Sequence, residues 1–251
     1  MNLLIIGGSG YVFRLLPPPL SPHHNIRIYD LRPPQVQATA QNLDYVEGNV
    51  CDFDSVRKAS AGIDAVIYMT MGRYLPIGEP YHEHVDSLTS SLDANVKGIY
   101  LSLYAAQSAG VQHAVYTSSM SVYDEKNLFQ RYFADEEIQP DARDIYGFSK
   151  SLGELVCRNI WREKAMSVNI LRLCFPMADE KWLAAYRDGS LTIQTSARDL
   201  AAAIDASLRL RAGCQTFTIS GDIYNKYMNI SKARSLLGWE PKLHTTGGTG
   251  K

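Results

Sequence analysis

The feature that most constrains this chain is at its start, where an apolar run, Leu3 to Ile6, ends directly in Gly7-Gly8-Ser9-Gly10-Tyr11-Val12. A strand that breaks into a glycine-rich turn and then opens a helix brings backbone N–H groups to a helix terminus. That arrangement suits a pyrophosphate. Asp30 stands about 20 residues further on, at the end of the next apolar run, Ile26 to Tyr29. A carboxylate there is placed to accept hydrogen bonds from both hydroxyls of an adenosine ribose, and it repels a 2′-phosphate. The pair therefore predicts a dinucleotide site with NAD favoured over NADP, a preference that neighbouring Arg32 weakens without reversing. The third glycine of such turns, which lets helix and strand approach closely, is Phe13 here. Pro17-Pro18-Pro19 cannot sustain a helical hydrogen-bond ladder, so the first helix is expected to stop near Leu16. Phe13 then has two readings, local repacking or a weakened cofactor site.

Beyond this turn, short apolar runs alternate with helical patterns. Strands are expected at Tyr45 and Val46, Ala65 to Met69, His113 to Thr117, Val168 to Leu173 and Phe217 to Ile219. Helices are expected at Ser55 to Ser60, Leu88 to Ala109, Tyr146 to Glu163, Ala197 to Leu210 and Ser231 to Leu237. The alternation predicts an α/β fold, a Rossmann-type doubly wound parallel sheet covered on both faces. The expected division is a nucleotide-binding domain over 1–172, a reduced substrate-binding region over 173–243 and a flexible tail over 244–251. The tail's His-Thr-Thr-Gly-Gly-Thr-Gly-Lys lacks the first glycine of a phosphate loop, and no helix follows it.

Composition closes off other classes. A formal net charge of −1 offers no basic surface for nucleic acid, and no apolar run approaches the roughly 20 residues of a membrane span. Cys51, Cys157, Cys174 and Cys214 are widely spaced, which fits reduced thiols in a cytoplasmic protein rather than a metal site. His82 and His84 lack a third ligand in register and read as loop histidines. Asn229-Ile230-Ser231 matches a glycosylation acceptor, irrelevant in the cytoplasm.

The chemistry is expected after the fifth strand. Thr117-Ser118-Ser119-Met120-Ser121-Val122-Tyr123 lies at a strand exit, where open α/β sheets place their sites. Tyr146-Gly147-Phe148-Ser149-Lys150 then sets Tyr and Lys four residues apart on one helix face. A nearby ammonium lowers the phenol's pKa, as proton transfer near neutrality requires.

With these motifs the chain resembles the extended short-chain dehydrogenase/reductase superfamily, the NAD-dependent epimerase/dehydratase group. The resemblance runs nearly end to end, through Gly48-Asn49-Val50-Cys51-Asp52, Asp93-Ala94-Asn95-Val96-Lys97-Gly98, Leu171-Arg172-Leu173 and a closing Ser231 to Trp239 stretch. It implies that Ser119 hydrogen-bonds the reacting oxygen, that Tyr146 is the general acid/base, and that Lys150 holds the nicotinamide ribose and tunes Tyr146. It places Gly7, Gly10, Tyr11, Val12, Asp30, Leu31, Arg32, Val50, Asp52, Asn95 and Pro176 around the cofactor. Met69, Thr70 and Met71 would pass beneath it, the two methionines narrowing the site. In size the chain is similar to the compact uronate dehydrogenases. Only about two dozen residues separate Arg172 from Asp199, which suits a small sugar or sugar acid better than a nucleotide sugar. Substrate candidates are Arg73, Ser119, Met120 and Arg187, with Arg143 and Arg198 behind them. Trp182 and Tyr186 either cover the substrate or pack a helix face. The implied activity is hydride transfer at a secondary alcohol or carbonyl. An NAD-retaining epimerase and a non-enzymatic NAD(P) sensor are the alternatives. A homodimer through the Leu88–Ala109 and Tyr146–Glu163 helices is a further implication.

Overall fold

The computed structural model describes residues 1–16, 24–35, 43–72, 85–124, 126, 128, 130–187 and 193–242. Pro17 to Pro19, Arg73, His82, His84 and the 244–251 tail lie outside the described residues. Seven strands form one parallel sheet: β1 (Asn2–Ile6), β2 (Asn25–Asp30), β3 (Leu43–Glu47), β4 (Ala65–Tyr68), β5 (His113–Ser119), β6 (Ser167–Leu173) and β7 (Cys214–Ile219). Their order is β3-β2-β1-β4-β5-β6-β7, so the chain reverses direction across the sheet between β1 and β4. A crevice opens outside the carboxyl ends of the strands at such a switch point.

The central strands are continuous apolar runs because both sheet faces are covered. Leu3, Leu4, Ile5 and Ile6 are all fully buried, and so are Ala65 to Tyr68. Alternate residues of each strand feed two separate cores. Leu3, Ile5 and Ile67 pack with Leu200 and Ile204, while Leu4, Ile6 and Tyr68 pack with Ile99 and Leu103.

The helices are α1 (Tyr11–Leu15), α2 (Phe53–Ala59), α3 (Val85–Leu92), α4 (Ile99–Ser108), α5 (Ile145–Lys164), α6 (Asp179–Arg187) and α7 (Ala197–Arg209). Side-chain caps explain three of the starts. Asp52 accepts from the Ser55 N–H at 3.0 Å, Asp144 from Gly147 at 2.9 Å and Ser196 Oγ from Asp199 at 3.1 Å. Helix α1 stops at Leu15, next to the residue expected from the proline run. Phe13 is buried in the core with Ile26 and Ile28, so its ring repacks the helix against the sheet.

Two features depart from the expected elements. The Leu88–Ala109 segment is not one helix, because a π-helical turn over Asp93–Gly98 separates α3 from α4. Helix α6 had no clear periodic signal. It is anchored by Trp182, which is buried, stacks on Tyr186 at 5.0 Å and donates its Nε1–H to the Gln194 carbonyl at 2.7 Å. Trp182 therefore packs a helix face. The region after residue 172 also completes the sheet, through β7, and one core, through α7.

Candidate active site

The crevice is built by the exits of β1, β2, β4, β5 and β6. At the β1 exit Gly7 has φ +89, a conformation open chiefly to glycine, and a Cβ there would lie 2.6 Å from the Thr70 backbone nitrogen. The glycine turn thus rests directly on the β4 exit. Gly10 starts α1 without a side-chain cap, so the first-turn N–H groups are not taken up by the residue that opens the helix. Asp30, at the β2 exit, accepts the Ser9 N–H through Oδ2 at 2.9 Å, and Ser9 Oγ donates to the Arg32 carbonyl at 2.5 Å. These two bonds tie the glycine turn to the carboxylate. Leu31 and Arg32 are exposed beside it.

Two predicted contacts change character. Met69 is buried among Ile5, Ile67 and Val115, so its side chain cannot narrow the site; Met71 is 40% exposed and does reach the surface. Met120 is buried against Val122, Phe133 and Met228, which removes it as a substrate contact. The turn after β5 directs that side chain into the core. Asp52 caps α2 through Oδ1, and Val50 packs its Cγ2 against the position where a Cβ on Gly98 would stand. The side chain of Arg187, like Arg73, lies outside the described residues. Arg143 and Arg198 pair with Asp124 and Asp179 at the surface.

Ser119, Tyr146 and Lys150 stand on two elements that pack together, the end of β5 and the start of α5. Ser119 ends β5, and its Oγ accepts the Ser121 N–H at 3.1 Å, leaving its own proton to donate. Tyr146 lies in the first turn of α5. Gly147, the next residue, is there for space: a Cβ would stand 1.8 Å from the Ser121 carbonyl oxygen. Only glycine lets the Tyr146 turn press onto the Ser119–Ser121 turn. That requirement is invisible in sequence, since it depends on an approach between segments far apart in the chain.

One helical turn on, Lys150 is 3% exposed, and its Nζ donates to the carbonyls of Thr70 at 3.1 Å and Thr117 at 3.0 Å. It therefore bridges the exits of β4 and β5. Burial pulls its pKa down from 10.5 to about 7. The π-helical turn presents Asn95, whose Nδ2 donates to Ser149 Oγ at 3.0 Å; that hydroxyl in turn donates to the Tyr146 carbonyl at 2.9 Å. π-turns recur at functional sites because they re-aim a side chain. Among the described residues Asn95 Oδ1 is buried without a hydrogen-bond partner. An orphaned acceptor on the π-turn fits a polar ligand, and with the glycine turn and Asp30 the residues present fit a dinucleotide.

Two further contributions were not legible. Tyr11 donates its hydroxyl to the Pro176 carbonyl at 3.2 Å, joining α1 to the segment after β6. Beneath the site, the buried Arg172 of β6 meets the buried Glu154 of α5 in a bidentate pair, Nε–Oε1 at 2.9 Å and Nη2–Oε2 at 2.7 Å. Ser118 Oγ also donates to Glu154, at 2.7 Å, so the residue preceding Ser119 is held by the same carboxylate. Among the described residues no group of three or more His, Cys, Asp or Glu side chains is placed to hold a metal. No described helix is long and apolar enough to cross a membrane.

A glycine turn at β1, a carboxylate at β2, and Ser, Tyr and Lys gathered at β5 and α5 define a Rossmann-type protein of the short-chain dehydrogenase/reductase class. Residues 4–162 match the 3-beta hydroxysteroid dehydrogenase/isomerase family, and the chain belongs to that family. It is 28% identical over 178 residues to an N-acetyl-alpha-D-glucosaminyl-diphospho-ditrans,octacis-undecaprenol 4-epimerase of Escherichia coli O157:H7, covering 70% of this chain and 48% of that one. It is 33% identical over 127 residues to a 3-beta-hydroxysteroid dehydrogenase of Mycolicibacterium neoaurum, covering 48% and 32%. The chain thus spans less than half the length of these curated relatives. In fold it is similar to a glucuronic acid dehydrogenase from Chromohalobacter salexigens, with TM-score 0.76, 18% identity and coverage of 100% of this chain and 90% of that one.

Proposed function

We propose that this chain is an NAD-dependent oxidoreductase acting on a secondary alcohol or carbonyl of a small sugar or sugar-acid substrate. The observation that carries the reading is the close approach at Gly147, which sets Tyr146 against the Ser119 turn while Lys150 spans the β4 and β5 exits. Ser119 donates a hydrogen bond to the substrate oxygen and holds it, keeping its own proton. Tyr146 takes or returns the hydroxyl proton, and Lys150 provides the ammonium that makes the phenolate accessible. Gly7, Gly10, Tyr11, Val12 and Asp30 would hold the dinucleotide, with Leu31, Arg32, Val50, Asp52, Met71, Thr70, Asn95 and Pro176 around it. Bound NAD supplies the hydride acceptor or donor. Residues 173–243 serve as the substrate region. Several structural neighbours support this cofactor, including a uronate dehydrogenase variant from Agrobacterium tumefaciens complexed with NAD.

Calorimetric titration with NAD and NADP tests the reading. NAD should bind more tightly than NADP, and Asp30→Ala should weaken it; NADH should then form from uronates, aldoses or lactones. Folded protein that binds neither nucleotide refutes it. Binding without turnover on any alcohol favours a sensor, and NAD retained through purification without net redox favours an epimerase, the activity named for the Escherichia coli relative. A second reading, oxidation of a steroid-type ring alcohol, is favoured by the family match over 4–162. A 3β-hydroxysteroid belongs in the same screen.

Assembly as a homodimer is part of the proposal. Val85 and Leu92 on α3 and Phe148 and Leu155 on α5 are all exposed, each pair seven residues apart and so on one helix face. Exposed apolar stripes of this kind suit a partner helix pair. Sedimentation should give twice the mass of the 28.0 kDa chain. A cytoplasmic location is proposed from the free state of all four cysteines.

A further inference from the structure

Among the described residues three that are not glycine have positive φ: Ala165 at 54, Phe175 at 40 and Asn225 at 52. Two have local explanations. Ala165 ends α5 in the left-handed cap conformation, and Asn225 is a residue type that tolerates it, with Oδ1 accepting the Ile230 N–H at 3.3 Å. Phe175 has neither. A bulky side chain in this region is strained, and such strain persists only where the surroundings over-determine it.

The surroundings do so on both sides. Cys174 donates its N–H to the Ile219 carbonyl at 3.0 Å and accepts at its own carbonyl from Thr195 N and Oγ1, at 2.9 and 3.0 Å. Met177 donates to the Thr195 carbonyl at 3.0 Å, and Pro176 accepts from the Tyr11 hydroxyl at 3.2 Å. The segment after β6 is thus fastened to β7, to Thr195 and to the helix that follows the glycine turn. Phe175 is the strained residue between those fastenings. Phe175 is 40% exposed just past the β6 exit, and Tyr11 and Met71, just past the β1 and β4 exits on the same edge of the sheet, are exposed as well. An exposed apolar rim on a crevice is the surface a ligand covers.

We infer that Phe175 is a specificity-determining residue whose ring receives the C–H face of a cyclic secondary alcohol. The inference deepens, and rests on, the oxidoreductase reading above. The electron-rich face of an aromatic ring attracts the polarised C–H groups of a saturated ring. A substrate lying on it presents one ring face to Phe175 and its hydroxyl to Ser119 and Tyr146. Phe175 selects for ring shape; the proton-transfer residues select for the hydroxyl. Sugar acids and steroid-type alcohols share this chemistry.

Saturation-transfer NMR tests it, with D-glucuronate and a 3β-hydroxysteroid as separate probes, each run with and without NAD. In the wild-type protein the ring C–H protons of at least one probe should take up saturation. Phe175→Gly, which needs no strain at this φ, should weaken that probe about tenfold, while Phe175→Tyr keeps the contact. NAD affinity by calorimetry should be the same in all three proteins. The melting temperature of Phe175→Gly should stay within about 3 °C of wild type, because relief of strain offsets the lost contacts. Phe175→Asn, also tolerant of positive φ, serves if the glycine variant fails to fold. Unchanged probe affinity in the Gly or Asn variant overturns the inference, as does a wild-type protein that transfers saturation to neither probe. A fall in melting temperature on the order of 10 °C would also overturn it, by showing that the ring is held for packing. Probe binding to a protein that binds no NAD would leave the aromatic contact standing and remove the oxidoreductase reading.

Discussion

Replacing Glu154 by alanine should destabilise the protein by about 3–5 kcal/mol, the usual cost of breaking a buried ion pair from one side. The size follows from what the substitution strands. Arg172 is 1% exposed and loses acceptors for Nε and Nη2, and Ser118 Oγ loses its acceptor as well. Nη1 keeps the Tyr123 hydroxyl at 2.6 Å and the Glu136 carbonyl at 2.9 Å, so the guanidinium stays fixed in place with the Glu136 carboxylate left to offset only part of its charge. Arg158, at 3.7 Å from Glu154, is one-third exposed and turns to solvent at little cost. Urea unfolding followed by circular dichroism should show the midpoint falling by roughly 1–2 M with an unchanged slope. Pairing Glu154→Leu with Arg172→Met removes both charges and should recover most of the loss, because an apolar pair of similar volume replaces the ion pair at little net cost. A single variant that loses less than about 1 kcal/mol would refute the reasoning, and so would a double variant as unstable as Glu154→Ala.

Four further outcomes follow from individual sites. The folded Lys150 loses its proton near pH 7 whereas an unfolded lysine keeps it to about 10.5, so the unfolded state holds more protons in that window and stability rises with pH across it. Lys150→Met should abolish that rise in urea midpoints measured at successive pH values. Tyr146→Phe should leave NAD binding intact in calorimetry and reduce turnover by about 100- to 10,000-fold. Gly147→Ala drives a Cβ to 1.8 Å from a backbone oxygen that cannot swing aside, so it should cost roughly 1–3 kcal/mol in urea unfolding and lower kcat as α5 shifts from the Ser119 turn. Ala165→Gly relieves the left-handed cap at the end of α5 and should raise stability by about 0.5–1 kcal/mol, read as a higher melting temperature.

By itself the sequence determined the parallel sheet and pointed to the strand exits at which the chemistry is proposed. Leu3 to Ile6 running into Gly7, and the spacing from Tyr146 to Lys150, are local patterns whose consequences are set within a strand or a helical turn. The five inner strands and β7 were legible because buried parallel strands are written as short apolar runs, whereas the edge strand β3, with no residue fully buried, showed only Tyr45 and Val46. What tertiary structure decided involves partners distant in the chain. Helix α6 is held by Trp182 bonding to Gln194, and its short, weakly periodic pattern carried little signal. The π-helical turn that re-aims Asn95 interrupts an uninterrupted helical pattern. Met69 and Met120 point into the core because of how the strand exits bend, which periodicity does not report. Gly147 facing Ser121, Arg172 facing Glu154 and Tyr11 reaching Pro176 are meetings between segments that only the assembled fold brings together. The strain at Phe175 belongs with them, since a backbone angle is imposed by the bonds on either side of a residue and not by its own side chain.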